Sequence, residues 1–349
     1  MTRHTRFAMK PVSASPLPQS FWPISPRHLY AMLIPAILLL AGFAALAAAI
    51  AWGGPRDIAA LDSVNTPFAG VDFSQLPPVQ RYTARDGTAL AWYGYAPVAA
   101  AGAEPLRRVV LIHGSSSRAR STHVLAQALA ASGYAVAALD MRGHGESGPR
   151  GQAAYVGQMD DDLEDFLRAV PHAGPQTLMG FSAGGGFALR IAGGPLQGLF
   201  DRYVLLAPFL HQNAPTARPD TGGWAAVGVP RLMALTLLNQ LGIAWWNHLP
   251  VLGFALDEAS RAGLTPHYSY TVASNFRPRG DYLSDIRNAR GHICIVAGQE
   301  DELFHAERYA GLFAQAGKSV SVTLVPGVNH IGLTLNALAV RTIAHACQG

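Results

Sequence analysis

The segment Gly180-Phe181-Ser182-Ala183-Gly184 has the form G-x-S-x-G. It follows a short apolar run, Thr177–Met179, and precedes a helical run, Phe187–Ile191. A sharp strand-to-helix turn of this kind pushes a serine hydroxyl out of the backbone. Its glycines remove side chains that would clash in so tight a turn. The helix N-terminus behind the serine favours developing negative charge. Ser182 is therefore the candidate nucleophile; the plainer reading is a Gly-rich turn with a capping serine.

A serine hydroxyl is a weak nucleophile that needs a base, and the base needs an orienting acid. The apolar run His292–Val296 leads into Gly298-Gln299-Glu300-Asp301, and Asp301 is the expected acid, with Glu300 and Glu302 as neighbours. After the run ending near Ala207 the next carboxylate is Asp220, too far on to compete. The run Val320–Val325 leads into Pro326-Gly327-Val328-Asn329-His330. Of the 13 histidines, His330 is the expected base, because it follows the last strand and completes the order Ser, Asp, His. A tetrahedral intermediate also needs backbone donors for its oxyanion. These are expected at Ala183 and, in the loop His113-Gly114-Ser115-Ser116-Ser117, at Ser115.

Other polar groups read as structural. His144, in the turn Asp140–Gly145, is expected to hold that turn. Asp160, Asp161, Asp162 and Asp165 resemble a metal cluster, but consecutive helical positions point apart. Cys294 and Cys347 are too few for a disulfide scaffold. No metal site and no cofactor is expected. His211, His305 and Arg142 are weaker candidates for substrate contact.

Short apolar runs alternate with helical patterns from about residue 80 onward, as in βαβ units around a mainly parallel sheet. Asp86–Gly87 marks a hairpin within Arg81–Ala96. The alternation breaks from Phe209 to about Arg290, a stretch rich in Trp, Tyr, Leu and Pro with no clear strand. It is too long for an ordinary loop and is expected to be an inserted, mostly helical cap.

The chain has 349 residues and a net charge of +4. Arg3, Arg6, Lys10 and Arg27 supply that charge, because the remaining 22 basic residues match the 22 acidic ones. The body is formally neutral, so no basic stripe points to nucleic acid. Leu29–Trp52 carries no charged residue and is long enough, as a helix, to cross a bilayer. The expected plan is a cytoplasmic tail at 1–28, a transmembrane anchor at 29–52, a linker at 53–78 and a folded domain at 79–349, with the cap at about 209–290. The positive-inside rule keeps the tail in the cytoplasm and the folded domain outside, on the periplasmic side in a bacterium. A cleaved signal peptide, cut within Ala44–Ala51, is the alternative.

Together the pieces LIHGSSS (111–117), DMRGHGES (140–147), GFSAGG (180–185), AGQED (297–301) and VNHIG (328–332) resemble the α/β-hydrolase superfamily. Within it the chain is similar to the lysophospholipase and monoacylglycerol-lipase-like group, which overlaps the proline-iminopeptidase-like serine hydrolases. The resemblance covers roughly residues 80–349. It implies eight strands, helices on both faces, a cap after the sixth strand and no cofactor. The chain departs from the group at Phe181, where those lipases carry a His or similar polar residue.

The expected activity is hydrolysis of carboxylic esters, with a small-molecule or lipid ester as substrate and the membrane as partner through the N-terminal helix. An aminopeptidase or amidase on the same three residues is the nearest alternative, since the cap holds Asp220, Asp257, Glu258 and Asp281. A catalytically silent binding protein on this fold is the alternative of another class.

Overall fold

The computed structural model describes residues 26–98 and 107–346. The expected cytoplasmic tail and Cys347 therefore lie almost wholly outside the described residues. The chain divides into two compact units, Met1–Ala47 and Ala48–Gly349.

A 27-residue helix, Pro26–Trp52, dominates the first unit and runs on through its boundary. At about 1.5 Å per residue it is roughly 40 Å long. Among the described residues it is the one helix long and apolar enough to cross a membrane. Pro35 lies inside it without ending it.

The second unit is built on an eight-stranded sheet. Its first six strands are β1 (Val79–Thr83), β2 (Ala89–Tyr95), β3 (Arg108–Ile112), β4 (Ala135–Leu139), β5 (Gln176–Phe181) and β6 (Arg202–Leu206). Three short strands follow in the region after β6, namely β7 (Ala225–Val227), β8 (Pro250–Phe254) and β9 (His267–Ser269). Then β10 (His292–Gly298) and β11 (Ser321–Val325) complete the large sheet. Its order is β1-β2-β4-β3-β5-β6-β10-β11. The pairs β1–β2 and β2–β4 are antiparallel and the others parallel. This is the α/β-hydrolase fold.

The central strands are continuous apolar runs because helices cover both faces. Every residue of β3 is buried. The β1–β2 hairpin turns at Asp86–Gly87, where Gly87 takes a φ of +84° that a side chain would resist.

Register places the chemistry. Ile112 pairs with Gly180 across β3 and β5, so the loop after β3 emerges beside Ser182. Gly298 pairs with Val325 across β10 and β11, so the Asp301 and His330 loops emerge side by side. All four loops leave the carboxyl ends of parallel strands, where open α/β sheets bind ligands.

One expectation needs correction. The region after β6 is not strand-free: β7, β8 and β9 form an antiparallel three-stranded sheet among the helices Val229–Gln240, Glu258–Gly263, Tyr270–Asn275 and Tyr282–Asn288. Two of these strands have three residues each, too few to show a period of two. The C-terminal segment carries two helices, Gly332–Leu335 and Ala337–Ala346. Asn336 separates them and caps the second, its Oδ1 accepting from Leu338 N–H at 2.8 Å.

Residues 53–78, read above as a linker, carry a short helix, Asp62–Asn65, and a 3-10 turn, Thr66–Gly70. Asn65 Nδ2 donates to Leu61 O and Ala255 O, both at 2.8 Å. The segment is thereby fastened to the inserted region.

Candidate active site

Ser182 stands between β5 and the helix Ala183–Ala192 with φ +55° and ψ −116°. Few non-glycine residues adopt this conformation, and it costs on the order of 1–3 kcal/mol. Bonds on both sides hold it. Ser182 N–H donates to Leu206 O at 2.8 Å, and Ser182 O accepts from Phe209 N–H at 3.0 Å and Gly186 N–H at 3.1 Å. The flanking glycines are needed for space. A Cβ on Gly180 would lie 2.0 Å from Gly184 O, and one on Gly184 would lie 2.4 Å from His113 O. Both obstacles are backbone and cannot swing aside.

His330 follows β11 and is buried. Its Nδ1 bonds Asp301 Oδ2 at 2.7 Å. A carboxylate only accepts, so Nδ1 carries the proton and Nε2 presents a lone pair. Asp301 is buried too, and its Oδ1 takes Leu303 N–H at 2.9 Å and Phe304 N–H at 2.8 Å. Three donors therefore fix the carboxylate. The imidazole is gripped between Phe181, with ring centroids 4.7 Å apart, and Phe304, at 5.2 Å. Phe181 thus packs against the candidate base.

Ser182, His330, Ser115 and Phe181 line one cavity of about 40 Å³. Ser182 and His330 share it without a hydrogen bond between them among the described residues. Such bonds are often long before substrate is bound. Trp224 and Leu264 from the inserted region and Val64 and Phe68 from the segment after the helix Pro26–Trp52 close the remaining walls. Among the described residues no carboxylate lines this space.

Ser115 and Ala183 carry the two expected oxyanion donors. Among the described residues neither backbone N–H has a protein acceptor, and Ala183 opens its helix. Ser115 Oγ accepts from Trp224 Nε1 at 2.9 Å, so an inserted residue touches the β3 loop.

The weaker candidates lie elsewhere. Arg142 pairs with Asp162 at 2.7 Å and Asp86 at 3.0 Å. Asp160 answers Arg190, Asp162 answers Arg142, and Asp161 and Asp165 answer Arg85, so the four aspartates are divided among three guanidiniums and do not converge. His211 stacks on Tyr282 at 5.6 Å, and His305 pairs with Glu307 at 3.3 Å. Cys294 is buried, and burial pushes its thiol up to about 11, so it is an unreactive filler. Sequence reasoning missed the walls Val64 and Phe68, and it missed the role of Glu302, whose Oε2 takes His330 N–H at 2.9 Å.

Residues 103–334 match the family model described as serine aminopeptidase, S33. A monoacylglycerol lipase of Mycolicibacterium smegmatis is 35% identical over 116 residues, 32% of this chain and 40% of that protein. An esterase of Mycobacterium tuberculosis is 33% identical over 134 residues, 38% of this chain and 40% of that protein. The aligned part thus spans about two fifths of each curated relative. Among solved structures, a soluble variant of monoglyceride lipase from Saccharomyces cerevisiae, in complex with a substrate analogue, superposes with a TM-score of 0.61 at 21% identity. It covers 81% of this chain and 97% of that one.

Proposed function

Because the chain belongs to the family described as serine aminopeptidase, S33, we propose that it is a serine hydrolase of carboxylic esters acting through Ser182, His330 and Asp301. The observation that carries this is the convergence of Ser182 with an Asp301-held His330 in one cavity. In the proposed reaction His330 Nε2 takes the Ser182 proton as Oγ attacks the ester carbonyl. Ser115 and Ala183 N–H groups hold the oxyanion. His330 returns the proton to the departing alcohol, and water attacks the acyl-enzyme to release the acid.

The lining favours an ester over a peptide with a free amine. An aminopeptidase needs a carboxylate for that ammonium group, and none is present among the described lining residues. Asp257 and Asp281 instead cap helices through Ser260 and Ser284 N–H. Phe68, Phe181, Trp224, Leu264 and Leu303 make the space apolar, which suits an acyl chain. At about 40 Å³ the cavity is smaller than the roughly 300–1,000 Å³ of small-molecule sites, so a substrate must displace a wall.

Membrane attachment on the outer side goes with this reading. The helix Pro26–Trp52 supplies the anchor. Helix Val229–Gln240 and the turn after it expose Val229, Met233, Leu237, Leu241 and Trp245, spaced four residues apart. Met233 and Leu241 are each 67% exposed and Trp245 is 78% exposed, which is costly in water and favourable at a lipid surface. Buried Arg231 of the same helix donates to Ile50 O at 2.7 Å and Ala51 O at 2.9 Å, joining the helix to the chain just before Gly53.

A panel of p-nitrophenyl esters and aminoacyl anilides, run on the detergent-solubilised full chain, tests the substrate class. Esters should be cleaved at least about 100-fold faster in kcat/KM, roughly the discrimination a dedicated site achieves. Anilides cleaved faster than esters would move the assignment to an aminopeptidase.

A further inference from the structure

We propose that Tyr268, on β9 of the small sheet, is a positioning residue that holds the Ser115 oxyanion donor in place through Ser116. This rests on the serine-hydrolase reading above and adds a residue to it. Ser117 N–H donates to Gly114 O at 3.3 Å, closing a turn with Ser115 and Ser116 at its centre. Ser116 has a φ of +63°. Positive φ at the second central position is the type II turn, which favours glycine there. A serine at that position needs something to hold it.

The inserted region does so. Every polar group of Ser116 is bonded to residues 265–268. Its N–H donates to Tyr268 Oη at 2.5 Å, its Oγ donates to Thr265 O at 2.7 Å, and its O accepts from Thr265 N–H at 2.8 Å. The direction of the chain of bonds is fixed by chemistry. His144 Nδ1 lies 3.0 Å from Arg142 O, which only accepts, so Nδ1 bears the proton and Nε2 is an acceptor. Tyr268 Oη, 2.5 Å from that Nε2, must donate to it. Its oxygen lone pair then receives Ser116 N–H. Ser116, His144 and Tyr268 are all buried, so no water substitutes for a missing link.

Without the phenol the Ser115–Ser116 peptide loses the bond that fixes ψ of Ser115 and φ of Ser116, and the turn closed by Ser117 N–H and Gly114 O loosens. The Ser115 N–H, on the preceding peptide of the same turn, then loses its fixed aim at the cavity. Losing one oxyanion donor outright costs about 10²–10³ in kcat. Displacing one part of the time should cost about 10- to 100-fold. Because the phenol belongs to the inserted region, any shift of that region from the sheet would also release the donor.

The test uses the detergent-solubilised full chain. Tyr268→Phe should lower kcat for p-nitrophenyl butyrate about 10- to 100-fold with KM changed less than about two-fold. The inhibition constant of a trifluoromethyl ketone, whose adduct also needs the oxyanion donors, should rise by a matching factor. Adding Ser116→Gly to Tyr268→Phe should recover at least about three-fold in kcat, since glycine accepts the positive φ unaided. A merely structural role would give no such rescue. Should Tyr268→Phe fail to fold, His144→Gln and His144→Leu break the same chain at its other end; Gln retains an acceptor and should be the more active. Unchanged kcat and inhibition constant in Tyr268→Phe, an effect on KM alone, absence of rescue, or equal activity of the two His144 variants would overturn the proposal. Hydrolysis that persists in Ser182→Ala would instead overturn the serine-hydrolase reading itself.

Discussion

Glu302 Oε2 accepts the backbone N–H of His330 at 2.9 Å, while the neighbouring Asp301 holds the same residue by its ring. Two adjacent carboxylates therefore share one histidine, one setting the imidazole and one setting the main chain. Their substitutions should separate. Asp301→Asn should lower kcat about 10⁴-fold, because an amide stabilises the wrong imidazole tautomer. Glu302→Gln keeps an acceptor for His330 N–H and should cost less than about five-fold. Glu302→Ala leaves that N–H unpartnered and should lose about 1–3 kcal/mol of stability. Glu300 is exposed, and Glu300→Gln should match the wild type. Steady-state kinetics and urea melts of the four variants check this; equal damage from Glu300→Gln and Asp301→Asn would refute it.

Two glycine substitutions should act with opposite signs. Gly184→Ala forces a Cβ to within 2.4 Å of His113 O and 2.7 Å of Ile112 O, both backbone. It should cost about 3 kcal/mol and most of the activity, since the same turn carries Ser182. Gly311, in helix Tyr309–Gln315, faces open space. Gly311→Ala should stabilise by about 0.5–1 kcal/mol and leave kinetics alone. Thermal melts of both variants measure the contrast.

Stability should fall in mild acid. Burial pushes His144 down to about 4 and His113 well below its usual range. Unfolded histidines titrate near 6.5. Between these values the unfolded chain binds protons that the folded chain refuses, so this contribution is complete above about pH 6.5 and is lost as pH drops toward 4. For His144 it amounts to about 3 kcal/mol as an upper figure. Burial raises Asp140 and Asp162, which oppose the trend at the acid end. Urea midpoints between pH 4.5 and 7.5 should therefore decline less steeply in His144→Gln than in the wild type.

Membrane attachment yields a further prediction. The mature chain should retain residues 29–52 and resist carbonate extraction. A soluble product beginning between Ala45 and Trp52 would make the helix a leader. Met233→Asp with Leu237→Asp should reduce hydrolysis of esters embedded in vesicles about ten-fold while sparing soluble p-nitrophenyl acetate. Equal loss on both substrates would show damage to the fold rather than to a lipid-facing surface.

What the sequence disclosed and what it hid follow a physical division. The large sheet was legible because its buried strands are continuous apolar runs and its helices keep a separate period. Ser182, Asp301 and His330 stand out as candidates because each lies in the turn or loop that follows such a run. Trp224 and Tyr268 reach Ser115 and Ser116 across more than 100 residues of chain, and no local pattern announces that contact. Val64 and Phe68 read as spacer because the helix Asp62–Asn65 is only four residues long. The same shortness concealed β7 and β9. His144 was read as holding its turn, and its bond to Arg142 O does so. Its second bond, to Tyr268, depends on the inserted region folding back.

Everything proposed for catalysis depends on Ser182 being the nucleophile. A fluorophosphonate probe applied to the intact chain, followed by digestion and mass analysis, reads the modified residue directly. The expected result is one stoichiometric adduct on Ser182, no labelling and no ester hydrolysis in Ser182→Ala, and an unchanged melting temperature in that variant. An adduct on another residue, or full labelling of Ser182→Ala, would contradict it.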